Sequence, residues 1–159
     1  MRQNGHIGNT YKHPGINAKL SELHAALGVL NLNHLNFILD KRKKISELYD
    51  KNLKQLFIKQ CISKPKIENN VQYNYAYYPI IFKSYKSLKT ALKILNNNNI
   101  FPRRYFYPSL NTIDYLDSKL KNKCKISEEI SKKIICLPLD TYLTKRDIEL
   151  ITSLIIKVV

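Results

Sequence analysis

Val71-Gln72-Tyr73-Asn74-Tyr75-Ala76-Tyr77-Tyr78-Pro79-Ile80-Ile81-Phe82 decides the fold class. Aromatic and β-branched side chains dominate it, and Val71, Tyr73, Tyr75 and Tyr77 alternate onto one face, as in a β-strand. On that pattern the tyrosine stripe belongs to the core rather than to a ligand platform. Pro79 has no N–H to give a ladder, which puts it at an edge or a bulge. A strand here makes the chain a mixed protein and not a helical bundle.

Outward from the strand, the helical patterns resume on both sides. Leu88, Ala91, Leu92 and Leu95 mark a helix that ends in Asn96-Asn97-Asn98-Asn99, residues that tolerate turn conformations. A second short strand is expected over 100–106. Weaker helical patterns over 112–120 and 127–133 precede a third strand at 134–139. The last helix starts at Thr144, where Thr144-Lys145-Arg146-Asp147 has the spacing of a capping box with Asp in place of Glu. Upstream, Ser63-Lys64-Pro65-Lys66 breaks a helical pattern that runs from His34 to Leu56. Before that, Leu20, Leu23, Leu27 and Leu30 line one side of a further helix, with Asn17 or Ser21 as its N-cap. Gly28 costs this helix propensity, which points to a tight contact there. The segment before Asn17 carries three of the four glycines and Pro14 and reads as loop. The expected fold class is α+β: a loop region over 1–16, a helical segment over 17–60, and a small, mostly antiparallel α+β domain over 61–159.

Composition excludes more than it assigns. A chain of 159 residues, 44% of them apolar, suits one ordinary domain. No apolar run approaches the ~20 residues that span a bilayer, and Met1 to His6 lacks the apolar core of a signal peptide, so no membrane partner and a cytoplasmic location are expected. Cys61, Cys124 and Cys136 form no C-x-x-C pair, which argues against a disulfide framework and a zinc site. The net charge of +15 is spread over scattered lysines, and clusters such as Lys41-Arg42-Lys43-Lys44 fall in helical patterns as solvated faces. Nucleic acid is therefore not the expected partner. No G-x-G-x-x-G, P-loop, H-E-x-x-H or G-x-S-x-G occurs, so the residues alone leave the function unnamed.

Gly15-Ile16-Asn17-Ala18-Lys19-Leu20-Ser21-Glu22-Leu23-His24-Ala25-Ala26-Leu27-Gly28 resembles the G-x-N-x-[KR]-x-S-E-[LF]-[HQ]-A-A-x-G segment of the DegT/StrS-type nucleotide-sugar aminotransferases. Further resemblances follow in the family's order. Arg2-Gln3-Asn4-Gly5-His6 is similar to R-N-x-G-H, and Lys41-Arg42-Lys43 with Tyr49 to a basic helix ending in Tyr. Asn74-Tyr75-Ala76-Tyr77-Tyr78 is similar to N-Y-x-Y-x, the stretch from Asn99 to Pro108 to G-I-x-x-R-x-Y-x-x-P, and Leu137-Pro138-Leu139 to L-P-L.

The resemblance implies the C-terminal small domain of a fold type I transferase dependent on pyridoxal 5'-phosphate. It assigns the cofactor phosphate to Asn17 and Lys19, across a homodimer interface. A side-chain amide at a helix N-terminus suits an anion, although capping alone would also account for Asn17. His6, Arg103, Arg104 and Tyr105 are the expected substrate-facing residues. Guanidinium groups match phosphate geometry, and a plain strand surface is the competing account of the last three. His24 is expected as a packed, hydrogen-bonded histidine. The partners implied are a nucleotide-linked keto-deoxysugar and an amino donor such as glutamate. In the family, the lysine that holds the cofactor covalently precedes the R-N-x-G-H loop. The chain is therefore expected to lack it, to have no catalytic residue of its own and to be inactive alone; the alternative is an interaction module that pairs with a separately encoded N-terminal half.

Overall fold

A computed structural model of the chain describes residues 6–7, 10–11, 13–15, 21–117 and 122–158. Its elements run β1 (His6–Ile7), β2 (Thr10–Tyr11), α1 (Glu22–Asn33), α2 (Leu35–Ile58), β3 (Ile62–Ser63), β4 (Tyr78–Phe82), α3 (Tyr85–Asn97), α4 (Lys125–Lys133), β5 (Ile134–Leu137) and α5 (Lys145–Ile156). This is the expected α+β class, with five helices and an antiparallel three-stranded sheet among the described residues. The chain divides into two compact units, Met1–Asn36 with Phe106–Lys132, and Phe37–Tyr105 with Lys133–Val159.

In the second unit the sheet order is β3-β4-β5, antiparallel throughout. Tyr78, Ile80 and Phe82 point to one face of β4 and are buried. They share one core with Ile45, Tyr49, Leu53 and Leu56 of α2, Leu88, Ala91 and Leu95 of α3, and the apolar stripe of α5. The spacing of those helical positions at three and four residues is what puts them on one side. The Tyr49 and Tyr78 rings meet at 4.8 Å between centroids, a contribution of about 0.5–1.5 kcal/mol beyond the area they bury. Ser84 caps α3 by accepting the Ser87 N–H at 3.0 Å. Thr144 and Asp147 form the capping box of α5: the Asp147 carboxylate accepts the Thr144 N–H at 2.8 Å and the Thr144 hydroxyl accepts the Asp147 N–H at 3.3 Å.

Strand β4 starts at Tyr78, not at Val71. Asn74 accepts the Ala76 N–H on its side-chain oxygen at 3.1 Å, and Tyr75 takes φ 48°, a left-handed conformation that no strand holds. The Asn side chain thus offers the backbone a turn in place of a ladder. As a result the Tyr73/Tyr75/Tyr77 stripe is not core: Tyr73 and Tyr75 are half-buried and Tyr77 is exposed. Pro79 lies in the central strand, opposite Cys136, but beyond the end of β3, so that flank of β4 is locally an edge there. Cys136 explains why this is tolerated. Its N–H donates to Arg103 O at 2.7 Å and its carbonyl accepts from Arg103 N at 3.2 Å, both on the side away from β4. In an antiparallel ladder bonded and non-bonded pairs alternate, so Pro79 falls at a non-bonded pair and no donor is missed. On Pro79's other flank β3 pairs only as far as Ile81.

The strand expected over 100–106 reduces to that one bridge between Arg103 and Cys136. The pattern over 112–120 gives only the 3₁₀ turn Leu110–Thr112, with residues 118–120 outside the described residues.

In the first unit, Ser21 caps α1 through the His24 N–H at 3.4 Å and also hydrogen-bonds the His24 ring at 2.8 Å. His24 is hydrogen-bonded as expected but exposed, not packed. No residue of α1 is buried, and a methyl built on Gly28 would meet nothing within 4 Å. Among the described residues the tight contact expected at Gly28 is absent. Replacing Gly28 by Ala should therefore stabilise α1 by about 0.5–1 kcal/mol. Circular dichroism of the 159-residue chain should show more helix, and a loss of helix would reinstate the close approach.

Candidate substrate-binding site

A cavity of about 370 Å³ opens beside the outer edge of β5. The residues that form it come from three places: Ala76 and Tyr77 before β4, Phe101, Arg103 and Tyr105 of the bridged segment, and the run from Cys136 through Asp140. Each wall has an identifiable anchor. The double backbone bond with Cys136 fixes Arg103 to the sheet. Its guanidinium donates to the Tyr105 hydroxyl at 2.8 Å and lies 5.7 Å from the Tyr105 ring centroid. Tyr77 meets Tyr105 edge to face at 5.1 Å, and the Tyr73 hydroxyl donates to the Tyr77 carbonyl at 2.9 Å. From the core, the Tyr49 hydroxyl donates to the Pro138 carbonyl at 2.9 Å and so holds the chain where it leaves β5. Asp140 accepts the Tyr142 N–H at 2.9 Å, which steadies its carboxylate in the turn before α5.

The electrostatics are simple. Arg103 and Asp140 are the charged residues lining the cavity, both are exposed, and neither has an ion-pair partner among the described residues. Arginine presents five donors in a planar fork, so the cavity offers an anion one fixed guanidinium beside aromatic walls. Burial pushes the Cys136 thiol up from 9.0 to about 11, only partly offset by its contact with the Tyr105 carbonyl. Burial likewise raises the hydroxyls of Tyr49 and Tyr78, helped at Tyr49 by the Asp147 charge and at Tyr78 by the Asp50 carboxylate that accepts its proton.

Of the residues expected from the sequence, Arg103 and Tyr105 come together here. Arg104 is half-buried and is not among the lining residues, as the alternation of a bridged segment requires. His6 places its backbone in the β1–β2 hairpin opposite Tyr11. Asn17 and Lys19 lie outside the described residues. Tyr77, Phe101 and Asp140 were not expected. Asn74 was the signal for Tyr77, because an Asx turn there takes the tyrosine out of the strand, and Asp140 directly follows the Leu137-Pro138-Leu139 motif. Among the described residues no helix is long and apolar enough to cross a membrane, and no group of His, Cys, Asp or Glu could hold a metal ion.

A small antiparallel sheet with helices on its buried face recurs in solved aminotransferases. The aminotransferase TlmJ of Streptoalloteichus hindustanus matches with a TM-score of 0.74 at 17% identity, over 92% of this chain and 38% of that one. Helicobacter pylori PseC, an aminotransferase involved in the biosynthesis of pseudoaminic acid, matches with a TM-score of 0.70 at 21% identity, over 92% of this chain and 39% of that one. At these identities the likeness shows the fold alone. Residues 1–155 match the model of the DegT/DnrJ/EryC1/StrS aminotransferase family, and the chain belongs to that family. It is 34% identical over 152 residues to the dTDP-4-amino-4,6-dideoxy-D-glucose transaminase of Escherichia coli, covering 92% of this chain and 40% of that protein. The Shigella dysenteriae transaminase of the same name matches at 34% over 146 residues, 89% of this chain and 38% of its own length. The chain thus spans about 40% of the length of the curated relatives it matches.

The thiol at the cavity wall gives a pH prediction. An unfolded Cys136 loses its proton near 9.0 and the folded one near 11, so deprotonation favours unfolding across that window. The urea midpoint should be flat below pH 9 and fall towards pH 11, more steeply above pH 10 as the buried tyrosines join. Cys136→Ala should shallow the fall between pH 9 and 10; an unchanged slope would contradict the raised thiol.

Proposed function

We propose that the chain supplies the C-terminal part of a pyridoxal 5'-phosphate-dependent aminotransferase acting on a nucleotide-linked keto-deoxysugar, in cell-surface polysaccharide or aminosugar biosynthesis. The observation that carries this is the match to a dTDP-sugar transaminase across nearly the whole chain at 34% identity. The Arg103–Tyr105 cavity supports it, because a guanidinium held by Tyr105 and with no ion-pair partner among the described residues suits a substrate that carries negative charge. In the assembled enzyme an amino acid and the keto-sugar become a 2-oxo acid and the amino-sugar. The family's pyridoxal phosphate supplies the electron sink for that exchange, and Asn17 and Lys19 are the residues of this chain that would hold its phosphate. Arg103, ordered by Tyr105, binds and orients; Phe101 and Tyr77 keep water from one side. His6 and Arg104 are the remaining proposed substrate-facing residues, Arg104 outside the cavity that Arg103 lines. The lysine that the chemistry needs belongs to the part of the enzyme that precedes the matched region.

Helix α1 supports the need for a larger partner. Leu23, Leu27 and Leu30 are all at least half exposed, on a helix apolar around most of its circumference. Helices of that kind are ordinarily covered. A second reading, an interaction module that pairs with a separately encoded N-terminal half and does no chemistry, rests on the same helix.

Coproduction with the preceding segment of the Escherichia coli transaminase separates the two. The transferase reading expects a complex that converts a dTDP-4-keto sugar and glutamate only when both parts are present, and that fails to assemble when Leu27 and Leu30 are replaced by Glu. A cofactor-loaded complex without turnover would favour the module; turnover by the chain alone would refute the claim that the lysine lies elsewhere.

A further inference from the structure

In the basic run Lys41-Arg42-Lys43-Lys44 the three lysines are exposed, as a solvated face requires, and Arg42 is not. Arg42 falls on the inward stripe of α2, with Ile38, Ile45, Tyr49, Leu53 and Leu56, whose spacings of three and four residues put them on one side of the helix. From Ile45 onwards that stripe lies in the core. Ile38 and Arg42 are only half-buried, and Phe37, next to Ile38, is 59% exposed. An arginine thus stands where the pattern calls for an apolar side chain, at the point where the described residues stop covering the helix.

Nothing in the described residues uses its guanidinium. Nε is buried without a hydrogen-bond partner, and Arg42 has no ion pair among the described residues. The positions three and four residues away on α2 are Ile38, Leu39, Ile45 and Ser46, none of them acidic. The Ser46 hydroxyl donates to the Arg42 carbonyl at 2.9 Å and offers the side chain nothing. Nor does Arg42 line the cavity beside β5, so it is no part of that site. A buried polar atom without a partner destabilises the fold that contains it, and a charged group does so more.

We propose that Arg42 docks a carboxylate, the side chain of an Asp or Glu, on the part of the transferase that precedes the matched region. The proposal rests on the transferase reading above. Two further observations favour this occupant. The chain spans about 40% of the length of its curated relatives, so the assembled enzyme has a large surface to set against α2. The chain also carries a net charge of +15, which suits a partner that brings negative charge. A carboxylate can take two parallel N–H bonds from a guanidinium, Nε among the donors, and so satisfies the buried atom and the charge together.

Arg42→Leu separates a docking residue from a structural one. Leu and Arg have nearly equal helix propensity, so the exchange leaves the preference of α2 unchanged. The urea midpoint of the 159-residue chain should rise, because the orphaned atom is gone. Its affinity for the preceding segment of the Escherichia coli transaminase should fall at least about tenfold, because the partner's carboxylate is left without its cation. Arg42→Lys should bind with intermediate affinity, since a point charge replaces the planar fork, and Arg42→Glu should abolish the complex. A lower urea midpoint in Arg42→Leu would show that the arginine is used within the chain. An Arg42→Leu complex as tight as the wild type would show that no carboxylate meets it. Either result overturns the proposal and leaves the transferase reading intact. Failure of that reading looks different: a wild-type pair that assembles without turnover while Arg42→Leu still weakens it. A wild-type chain that does not assemble with the segment at all overturns both.

Discussion

Cys136 gives both of its backbone hydrogen-bonding groups to Arg103, and the fold and the site of the second unit both depend on that exchange. Towards β4 it leaves Cys136 with nothing to offer, which is why a proline can stand opposite it in a central strand. Towards the outside it places an arginine at a fixed height on the edge of β5, with Tyr105 two residues on, facing the same way. A pair of bonds worth about 1 kcal/mol each in net stability thus fixes the side chains that make the cavity a candidate site.

Behind the sheet, the core transmits its order to the same place. Tyr49 is buried among apolar side chains and its hydroxyl needs a partner, because an unpaired buried polar group costs about 1–3 kcal/mol. Its partner is the Pro138 carbonyl, at the end of β5, so satisfying Tyr49 also sets the wall formed by residues 137–139. On its other side Tyr49 packs on Tyr78, whose hydroxyl donates to Asp50, which also pairs with Lys64. Sheet, long helix and cavity wall are coupled through one buried tyrosine.

How much of this was legible in the sequence varied with the kind of signal. The helices α2 and α3, with the inward face of α3, followed from periodicity, because apolar spacing is a direct record of which side is buried. The α5 capping box was legible because its two partners lie three residues apart. Non-local facts were not legible. The alternation of Val71, Tyr73, Tyr75 and Tyr77 looked like a strand, while Asn74 and a left-handed Tyr75 make a turn that aims Tyr77 at the cavity. Pro79 reads as an edge residue, and its nitrogen does face the flank that β3 leaves uncovered; that β4 is nonetheless the central strand depends on Cys136, 57 positions later in the chain. At Gly28 propensity suggested a close neighbour, and the described residues place none there. Arg103 and Tyr105 came from the family resemblance, and so did Asn17 and Lys19, which lie outside the described residues.

The central claim is that the segment carrying Arg103 is held to the sheet and is not a free loop. Amide hydrogen exchange of Arg103 and Cys136, read residue by residue, tests this most directly. Both amides should exchange far more slowly than an open backbone, on the scale of the β5 core amides, because each is bonded within the folded unit. Exchange of both at the rate of an unprotected loop would show that the bridge does not persist, and with it the fixed geometry of the cavity would be lost.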